Sequence, residues 1–138
     1  MGLSVPVEAD AGDADAVIAL WEACGLTRPW NDPARDFALA LENAASAVLV
    51  VREGDALAGS VMTGFDGHRG WVYYLAVSPA HRRQGLGRAL MAAAEAWLRE
   101  RGAPKIQLMV REDNEAIGFY EALGLERQKV VTLGRFLD

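Results

Sequence analysis

Apolar side chains recur every three to four positions in the first third of the chain, which predicts two helices. The first helix is expected at residues 14–24, with Asp13 as its cap and Gly25 closing it. The second is expected to begin at Pro33, after a cap at Asp32. Their apolar faces would consist of Val17, Leu20, Trp21 and Cys24 in the first helix and Phe37, Leu41 and Ala44 in the second.

Runs of β-branched and aromatic residues predict the strands. A weak alternation at residues 3–7 indicates a first strand. Three stronger strands, at residues 47–52, 56–65 and 71–77, are joined by short turns and should therefore be antiparallel.

The second half of the chain alternates helix and strand. Apolar residues at helical spacing start at Leu86 and predict a helix that ends before Gly102. The strand expected next, at residues 105–110, should lie parallel to residues 71–77 because a helix connects the two. A last helix from Asp113 or Asn114 to Gly124 and a last strand at residues 130–137 complete the prediction. The expected fold class is α/β, a mixed, mostly antiparallel central sheet with helices on both faces.

The composition fits one globular domain spanning residues 1–138, with 51% hydrophobic and 24% charged residues. Neither a run of about 18 apolar residues nor a signal-peptide pattern occurs, so no membrane association is expected. The lone Cys24 fits a reducing cytoplasm. A net charge of −5 argues against nucleic-acid binding and mildly favours a cationic partner. No metal site is predicted.

A basic segment with two glycines precedes the helix that starts near Leu86. Free main-chain N–H groups and the helix dipole make such a helix start suitable for phosphate or pyrophosphate. The alternative is a strand-to-helix turn in which the glycines serve geometry and the arginines are solvated. A dinucleotide fingerprint would need a third glycine where Leu90 stands, and no P-loop lysine follows. The segment consists of Arg82, Arg83, Gln84, Gly85, Leu86, Gly87 and Arg88.

Two blocks of the chain resemble the GNAT superfamily of acyl-CoA-dependent N-acetyltransferases. Arg82, Gly85 and Gly87 follow residues 75–77 in that family's order, and residues 114–124 match a second family block. Residues 28–33 and 66–70 are similar to those of the small bacterial YpeA-type acetyltransferases. The resemblance implies acetyl-CoA (coenzyme A) as the cofactor and a sheet whose two parallel central strands splay apart.

The resemblance also implies roles for individual residues. The pantetheine arm of the cofactor would pair with the main chain of Leu75, Ala76 and Val77, and the pyrophosphate would lie on the N–H groups of residues 83–88. The N–H of Leu75 would donate to the developing oxyanion. Tyr120 would give a proton to the coenzyme A thiolate, and Asn114 would lie near the pantetheine arm. Leu75, Val77 and Tyr120 would alternatively be core residues, and Asn114 a helix cap.

The general base is left open. The two positions where members of the family carry a glutamate hold Trp71 and Met109 here. Water, Asp66, His68 or Glu112 would accept the proton, or the acceptor amine would arrive neutral.

The implied function is transfer of an acetyl group from acetyl-CoA to a primary amine, on a small molecule or a protein, by direct attack in a ternary complex. The alternative is a non-catalytic acyl-CoA-binding sensor or regulatory module, and acetyl-CoA turnover would distinguish the two. Arg28, Trp30 and Asp32 would lie in the acceptor groove, unless Trp30 only pins its loop and Asp32 only caps the second helix. The short C-terminal tail leaves room for one strand, which predicts a low groove wall or a homodimer.

Overall fold

The computed structural model describes residues 2–137 of the 138-residue chain. Within these residues, one sheet has the strand order β1-β2-β3-β4-β5. The first four strands are antiparallel neighbours, and β4 and β5 are parallel, which confirms the mixed sheet. The strands are β1 Val7–Glu8, β2 Ser46–Glu53, β3 Ala56–Phe65, β4 Gly70–Val77 and β5 Ile106–Leu108. The helices are α1 Ala14–Ala23, α2 Pro33–Glu42, α3 Leu86–Glu100 and α4 Ile117–Ala122.

Helices cover both faces of the sheet, and the sequence of β2 reflects this. Its continuous apolar run sends Ala47, Leu49 and Val51 into the core beneath α3, and Val48 and Val50 into the core beneath α1 and α2. All five residues are buried. A strand buried on both faces is expected to lack the alternation of apolar and polar residues, as this one does. The prediction of helices on both faces is confirmed.

The predicted caps have different outcomes. Asp32 caps α2, since its carboxylate accepts the N–H groups of Ala34 at 3.0 Å and Arg35 at 3.2 Å. Asp13 stands at the N-cap position of α1, as predicted, but its side chain makes no capping hydrogen bond to that helix, since a 3-10 turn at residues 11–13 precedes it and Asp10 caps the turn. Asp13 closes a capping box with the N–H of Asp10 and pairs with Arg52.

Both predicted terminal strands need correction. Leu3 makes an isolated bridge to Glu53, and the first strand is Val7–Glu8 rather than residues 3–7. Within the described residues, no strand forms at residues 130–137, where Val131 and Leu133 are 84% and 90% exposed. An alternating pattern becomes a strand only against a free sheet edge. β5 offers such an edge over only three residues.

Two smaller boundaries also differ from the sequence prediction. α4 begins at Ile117 because a turn precedes it, in which the Asn114 side chain accepts the N–H of Ala116 at 2.8 Å. Ala44 lies beyond the end of α2, and Ala40 takes its place in the core with Phe37. In both cases the apolar spacing runs past the point where side-chain hydrogen bonds or loop geometry end the helix.

The pairing of β4 with β5 is shorter than predicted, and this shapes the site. Gly70, Trp71 and Val72 pair with residues 106–108, after which the two strands separate. The expected strand at residues 105–110 is therefore reduced to Ile106–Leu108. Among residues 2–137, the edge of β4 that faces β5 has no strand partner from Tyr73 onward. The two parallel strands thus splay apart, as the resemblance implies.

The close contact of β4 with α3 at Gly70 gives a stability prediction. A Cβ on Gly70 would lie 2.6 and 2.7 Å from the two methyl carbons of the buried Leu98. Gly70→Ala should therefore lower the free energy of unfolding by about 1–3 kcal/mol through overpacking, measured by urea denaturation. Gly118→Ala is the control, since a Cβ there meets nothing within 4 Å and alanine favours the helix. Equal stability of Gly70→Ala and the native protein would contradict the packing argument.

Candidate active site

The separation of β4 from β5 opens a cleft of about 750 Å³. β3, β4, α2, the loop before α2 and the segment after β5 all contribute to its walls. Five of the residues singled out from the sequence line it together: Arg28, Trp30, Leu75, Asn114 and Tyr120. The fold thus brings residues assigned to the cofactor and residues assigned to the acceptor to one open space.

A β-bulge in β4 determines which side chains face this cleft. Ser60 pairs with Ala76 and Met62 pairs with Tyr73, so a single residue of β3 lies opposite both Tyr74 and Leu75. The extra residue reverses the alternation of the strand. Val72 packs beneath α3 before the bulge and Leu75 and Val77 do so after it, whereas Tyr74 and Ala76 face α1 and α2.

Tyr74 lies at the centre of the bulge, and its side chain is held by contacts with two other residues, Trp21 and Asp36. Its φ of 52° lies in the left-handed region, which non-glycine residues rarely adopt. Its ring stacks on Trp21 with centroids 3.9 Å apart, and the indole of Trp21 donates to Ser60 Oγ at 3.0 Å. Its hydroxyl donates to Asp36 Oδ2 at 2.7 Å. Burial, and then the hydrogen bond to Asp36, raise the pKa of Tyr74, so it stays a donor.

The start of α3 has the features of an anion site. Arg83 and Gly85 have φ values of 66° and 75°, and such left-handed residues turn successive N–H groups toward one side. Among residues 2–137, the N–H groups of residues 83–88 donate to no main-chain or side-chain acceptor. These free donors at the positive end of a 15-residue helix fit a pyrophosphate group.

Gly87 connects this helix start to α4. A Cβ at Gly87 would lie 3.2 Å from Phe119 Cζ and 3.9 Å from Val77 Cγ2. Phe119 packs edge-on against Tyr120, with ring centroids 5.1 Å apart. Any side chain at Gly87 would therefore press on the helix that carries Tyr120.

Tyr120 both packs against the core beneath α3 and lines the cleft. Its two interpretations, core residue and proton donor, are thus compatible. Burial raises the pKa of Tyr120, which keeps the phenol protonated to higher pH.

The other candidates lie outside the lining of the cleft, namely Asp32, Asp66, His68, Ala76, Val77, Glu112 and residues 82–88. The side chain of Asp32 caps α2 instead of facing the cleft. Asp66 closes its own turn, accepting the N–H groups of Arg69 at 2.7 Å and His68 at 2.8 Å. These bonds, that of Arg69 first, lower the pKa of Asp66 and make it a weaker proton acceptor. His68 belongs to the same exposed turn.

The sequence analysis missed several residues of the cleft, above all Asp36 and Tyr74. Asp36, Leu39, Ala40 and Asn43 line it at helical spacing, whereas the sequence analysis assigned only Phe37, Leu41 and Ala44 of this helix, as its apolar face. Arg111 was also missed. Its guanidinium carbon lies 5.5 Å from the ring centroid of Trp30, across the cleft from the loop before α2.

Comparisons with known proteins agree with this geometry. The family model described as the acetyltransferase (GNAT) family matches residues 15–125. The chain belongs to the GNAT family of acetyltransferases. An acetyltransferase of Pectobacterium atrosepticum is 50% identical to it over 126 residues, which cover 91% of this chain and 89% of the relative.

Solved structures support the GNAT fold of the chain. The aminoglycoside acetyltransferase AAC(6')-Iy, solved with a bisubstrate analogue, superposes with a TM-score of 0.83 at 15% identity and full coverage of both chains. An acetyltransferase of Clostridium acetobutylicum, solved with acetyl-CoA, superposes with a TM-score of 0.79 at 15% identity, covering 96% of each chain. At these identities the likeness shows the fold alone.

The GNAT assignment identifies the activity at a coarse level. The protein is an acetyl-CoA-dependent acetyltransferase with bacterial relatives. Of the two functions considered from the sequence, the comparisons support the enzyme rather than the non-catalytic module. None of the helices within residues 2–137 combines the length and apolarity needed to cross a bilayer. The closer resemblance to YpeA-type proteins stays a prediction.

The anion site at the start of α3 can be tested with a pair of isosteric variants. Gly87→Glu places bulk and a negative charge at the free N–H groups, whereas Gly87→Gln places similar bulk without the charge. Both variants should bind coenzyme A more weakly than the native protein by isothermal titration calorimetry, and Gly87→Glu should be weaker than Gly87→Gln, by about tenfold or more. Native affinity in Gly87→Glu would contradict the site assignment.

Proposed function

We propose that this GNAT protein transfers the acetyl group of acetyl-CoA directly to a primary amine while both substrates are bound. The observation that carries the proposal is the open cleft, which joins Leu75 and Tyr120 at the splayed strands to Arg28 and Trp30 at the loop. Holding two reactants side by side removes much of the entropic barrier of a bimolecular step.

A covalent acetyl-enzyme has little support among the residues that line the cleft. Its two aliphatic hydroxyl side chains already donate to main-chain carbonyls, Ser46 to Ala40 at 2.8 Å and Thr63 to Trp71 at 3.2 Å. Neither has a neighbouring base to activate it, as a nucleophilic serine or threonine requires. Cys24 is not part of the lining, and its thiol donates to the carbonyl of Val77 at 3.3 Å. Direct attack by the amine is therefore the simpler mechanism.

Acetyl-CoA, when bound, supplies the acetyl group as a thioester. The free N–H groups of residues 83–88 would hold its pyrophosphate, and the unpaired edge of β4 at residues 75–77 would pair with its pantetheine arm. The N–H of Leu75 is proposed to donate to the carbonyl oxygen on which negative charge develops. Asn114 would support the arm from the turn before α4.

Tyr120 is proposed as the acid that returns a proton to the departing thiolate. It lines the cleft on the α4 side, and burial favours its protonated form. A neutral phenol next to a thiolate can donate a hydrogen bond and then the proton.

The proton of the amine needs no dedicated carboxylate in this proposal. Asp66 and His68 lie outside the cleft lining, as does Glu112. Asp66 also has a lowered pKa. We propose that the amine loses its proton to water or arrives neutral, so that the rate rises with pH toward the pKa of the acceptor.

Two further expectations remain proposals: a cytoplasmic location and a homodimer. The dimer is supported by the exposed apolar tail, in which Leu133 is 90% and Phe136 69% exposed. The tail runs beside β5, since Gln128 accepts from Lys105 Nζ at 2.7 Å and Thr132 donates to Met109 Sδ at 3.6 Å. Burial of such side chains against a second copy would remove an exposed apolar patch.

The role of Tyr120 is tested by Tyr120→Phe, which keeps the ring but removes the acidic hydrogen. We expect kcat to fall by roughly 10- to 1,000-fold with little change in coenzyme A affinity, measured by thiol release and calorimetry. The native enzyme should lose activity only above pH 10, because burial raises the pKa of Tyr120 above its ordinary value of 10.0. An unchanged kcat would leave Tyr120 as a core residue only.

The role of the loop before α2 is tested by comparing Trp30→Ala with Asp32→Ala. Trp30 lines the cleft opposite Arg111 and is 56% exposed, so its loss should raise the acceptor KM and leave acetyl-CoA binding intact. Asp32→Ala removes the cap of α2 and should cost about 0.5–2 kcal/mol of stability with a smaller effect on KM. If Trp30→Ala lowers the melting temperature but keeps the native KM for the acceptor, Trp30 only stabilises the loop.

A further inference from the structure

Asp36 is a carboxylate in the cleft to which the proposed chemistry assigns no role. It projects from the first turn of α2, is half-buried, and lines the same space as Leu75 and Tyr120. It is the one acidic residue of that lining. Within residues 2–137 no basic side chain lies within ion-pair distance of it. A carboxylate loses favourable contacts with water when it is partly buried. Without a neighbouring cation, this loss is only partly compensated.

The two cations of the cleft do not neutralise Asp36. Arg28 Nη1 donates to the carbonyls of Gly25 at 2.8 Å and Thr27 at 2.9 Å, which ties that guanidinium to its own loop. The guanidinium of Arg111 lies over Trp30. The carboxylate of Asp36 is thus left facing the cleft with a single neutral donor, the hydroxyl of Tyr74.

The position of Asp36 is rigid. Tyr74 fixes Oδ2, and its own ring is stacked on Trp21, which has no exposed surface and donates to the buried Ser60. In α2, the N–H of Asp36 donates to the carbonyl of Asp32 at 2.9 Å. A charged group held this firmly from both its helix and a core tyrosine loses little entropy when it binds a ligand.

The distance from the reacting centre decides what Asp36 binds. Tyr74 and Leu75 are adjacent, and their side chains lie on opposite faces of β4, as those of neighbouring strand residues do. A full tyrosine side chain plus a 2.7 Å hydrogen bond therefore separates the carboxylate from the main chain of β4. Direct proton transfer requires hydrogen-bond contact or one bridging water, so a carboxylate at the far end of the Tyr74 side chain is better suited to binding a second group of the acceptor.

We propose that Asp36, held by Tyr74, binds a second, non-reacting ammonium group of the acceptor, so that the preferred substrates are diamines. This inference rests on the proposed acetyl transfer, because the first amine is the one placed at Leu75 and Tyr120. Apolar residues in the lining of the same cleft, among them Leu39, Met62 and Leu108, suit a hydrocarbon spacer. A carboxylate with one oxygen still open to the cleft suits an ammonium group with three donors.

The test compares diaminoalkanes, from 1,3-diaminopropane to 1,6-diaminohexane, with monoamines of the same chain lengths. Binding to the coenzyme A complex is measured by calorimetry, and acetylation by thiol release from acetyl-CoA. The native protein should prefer the best diamine over its monoamine by about 10- to 100-fold in Kd and in KM, the range expected for one charge-assisted hydrogen bond.

Three variants make the test specific. Asp36→Asn keeps an acceptor for the Tyr74 hydroxyl and should bring the ratio of diamine to monoamine affinity close to one. Tyr74→Phe keeps the stacking on Trp21 and should weaken diamine binding by a smaller factor. Glu42→Gln removes a carboxylate from the same helix outside the cleft lining and should change nothing.

The outcomes separate this inference from the proposed function. If the protein acetylates amines without preferring diamines, or if the preference for diamines persists in Asp36→Asn, the inference is overturned. The proposed acetyl transfer would stand in either case. Equal losses for diamines and monoamines in Asp36→Asn would also overturn the inference, since Asp36 would then hold the reacting amine. Diamine binding that depends on Asp36, without turnover of any amine, would support the site and overturn the proposed transfer.

Discussion

The early separation of β4 from β5 is the constraint on which the rest of the site depends. Only three residue pairs join the two parallel strands before they diverge. In an intact sheet, both edges of β4 would be satisfied by neighbouring strands and no space would exist between them. Because the strands part, the main chain of β4 keeps a free edge, a cleft opens beside it, and Tyr120 reaches that cleft from α4.

The bulge at Tyr74 is a second constraint, and the cost of its backbone strain can be compared with the gain from the contacts of Tyr74. A non-glycine residue in the left-handed region costs about 1–3 kcal/mol. Aromatic stacking is worth about 0.5–1.5 kcal/mol and a hydrogen bond to a charged group about 1.5–3 kcal/mol. The contacts of Tyr74 with Trp21 and Asp36 are thus sufficient to offset the strain. The bulge is therefore maintained by the face of the sheet that carries α1 and α2, while it positions Leu75 on the other face.

The candidate site combines two kinds of surface, the start of α3 and the lining of the cleft. The start of α3 offers main-chain donors, whose chemistry depends on backbone shape at Arg83 and Gly85 more than on side chains. The acceptor side offers side chains, namely Trp30, Arg111 and the Asp36–Tyr74 pair. In the proposed function, the first kind of surface would hold the cofactor. Selection among acceptors falls to the second, where single substitutions change charge and shape.

The sequence by itself determined the helices, the central strands and the glycine-bearing turn at the start of α3. These features follow from local rules: the spacing of apolar residues in α1 to α3, the cap at Asp32, and the glycine-bearing start of α3. Tyr120 and Leu75 were found through a resemblance, and the structure brings them to one cleft. Their catalytic roles remain proposals.

Tertiary structure alone decided the rest, because each remaining feature depends on a partner distant in sequence. Apolar and polar residues alternate in the tail at residues 130–137 as in a strand, but the tail pairs with no neighbouring strand, since β5 ends after three residues. The bulge at Tyr74 is a property of the β3–β4 register and leaves no local signal in a run of strand-forming residues. The Asp36–Tyr74 pair joins residues 38 positions apart, and only the packing of α2 against the sheet makes them neighbours. Local periodicity specifies which face of an element is apolar, whereas the contacts between elements decide which polar groups meet.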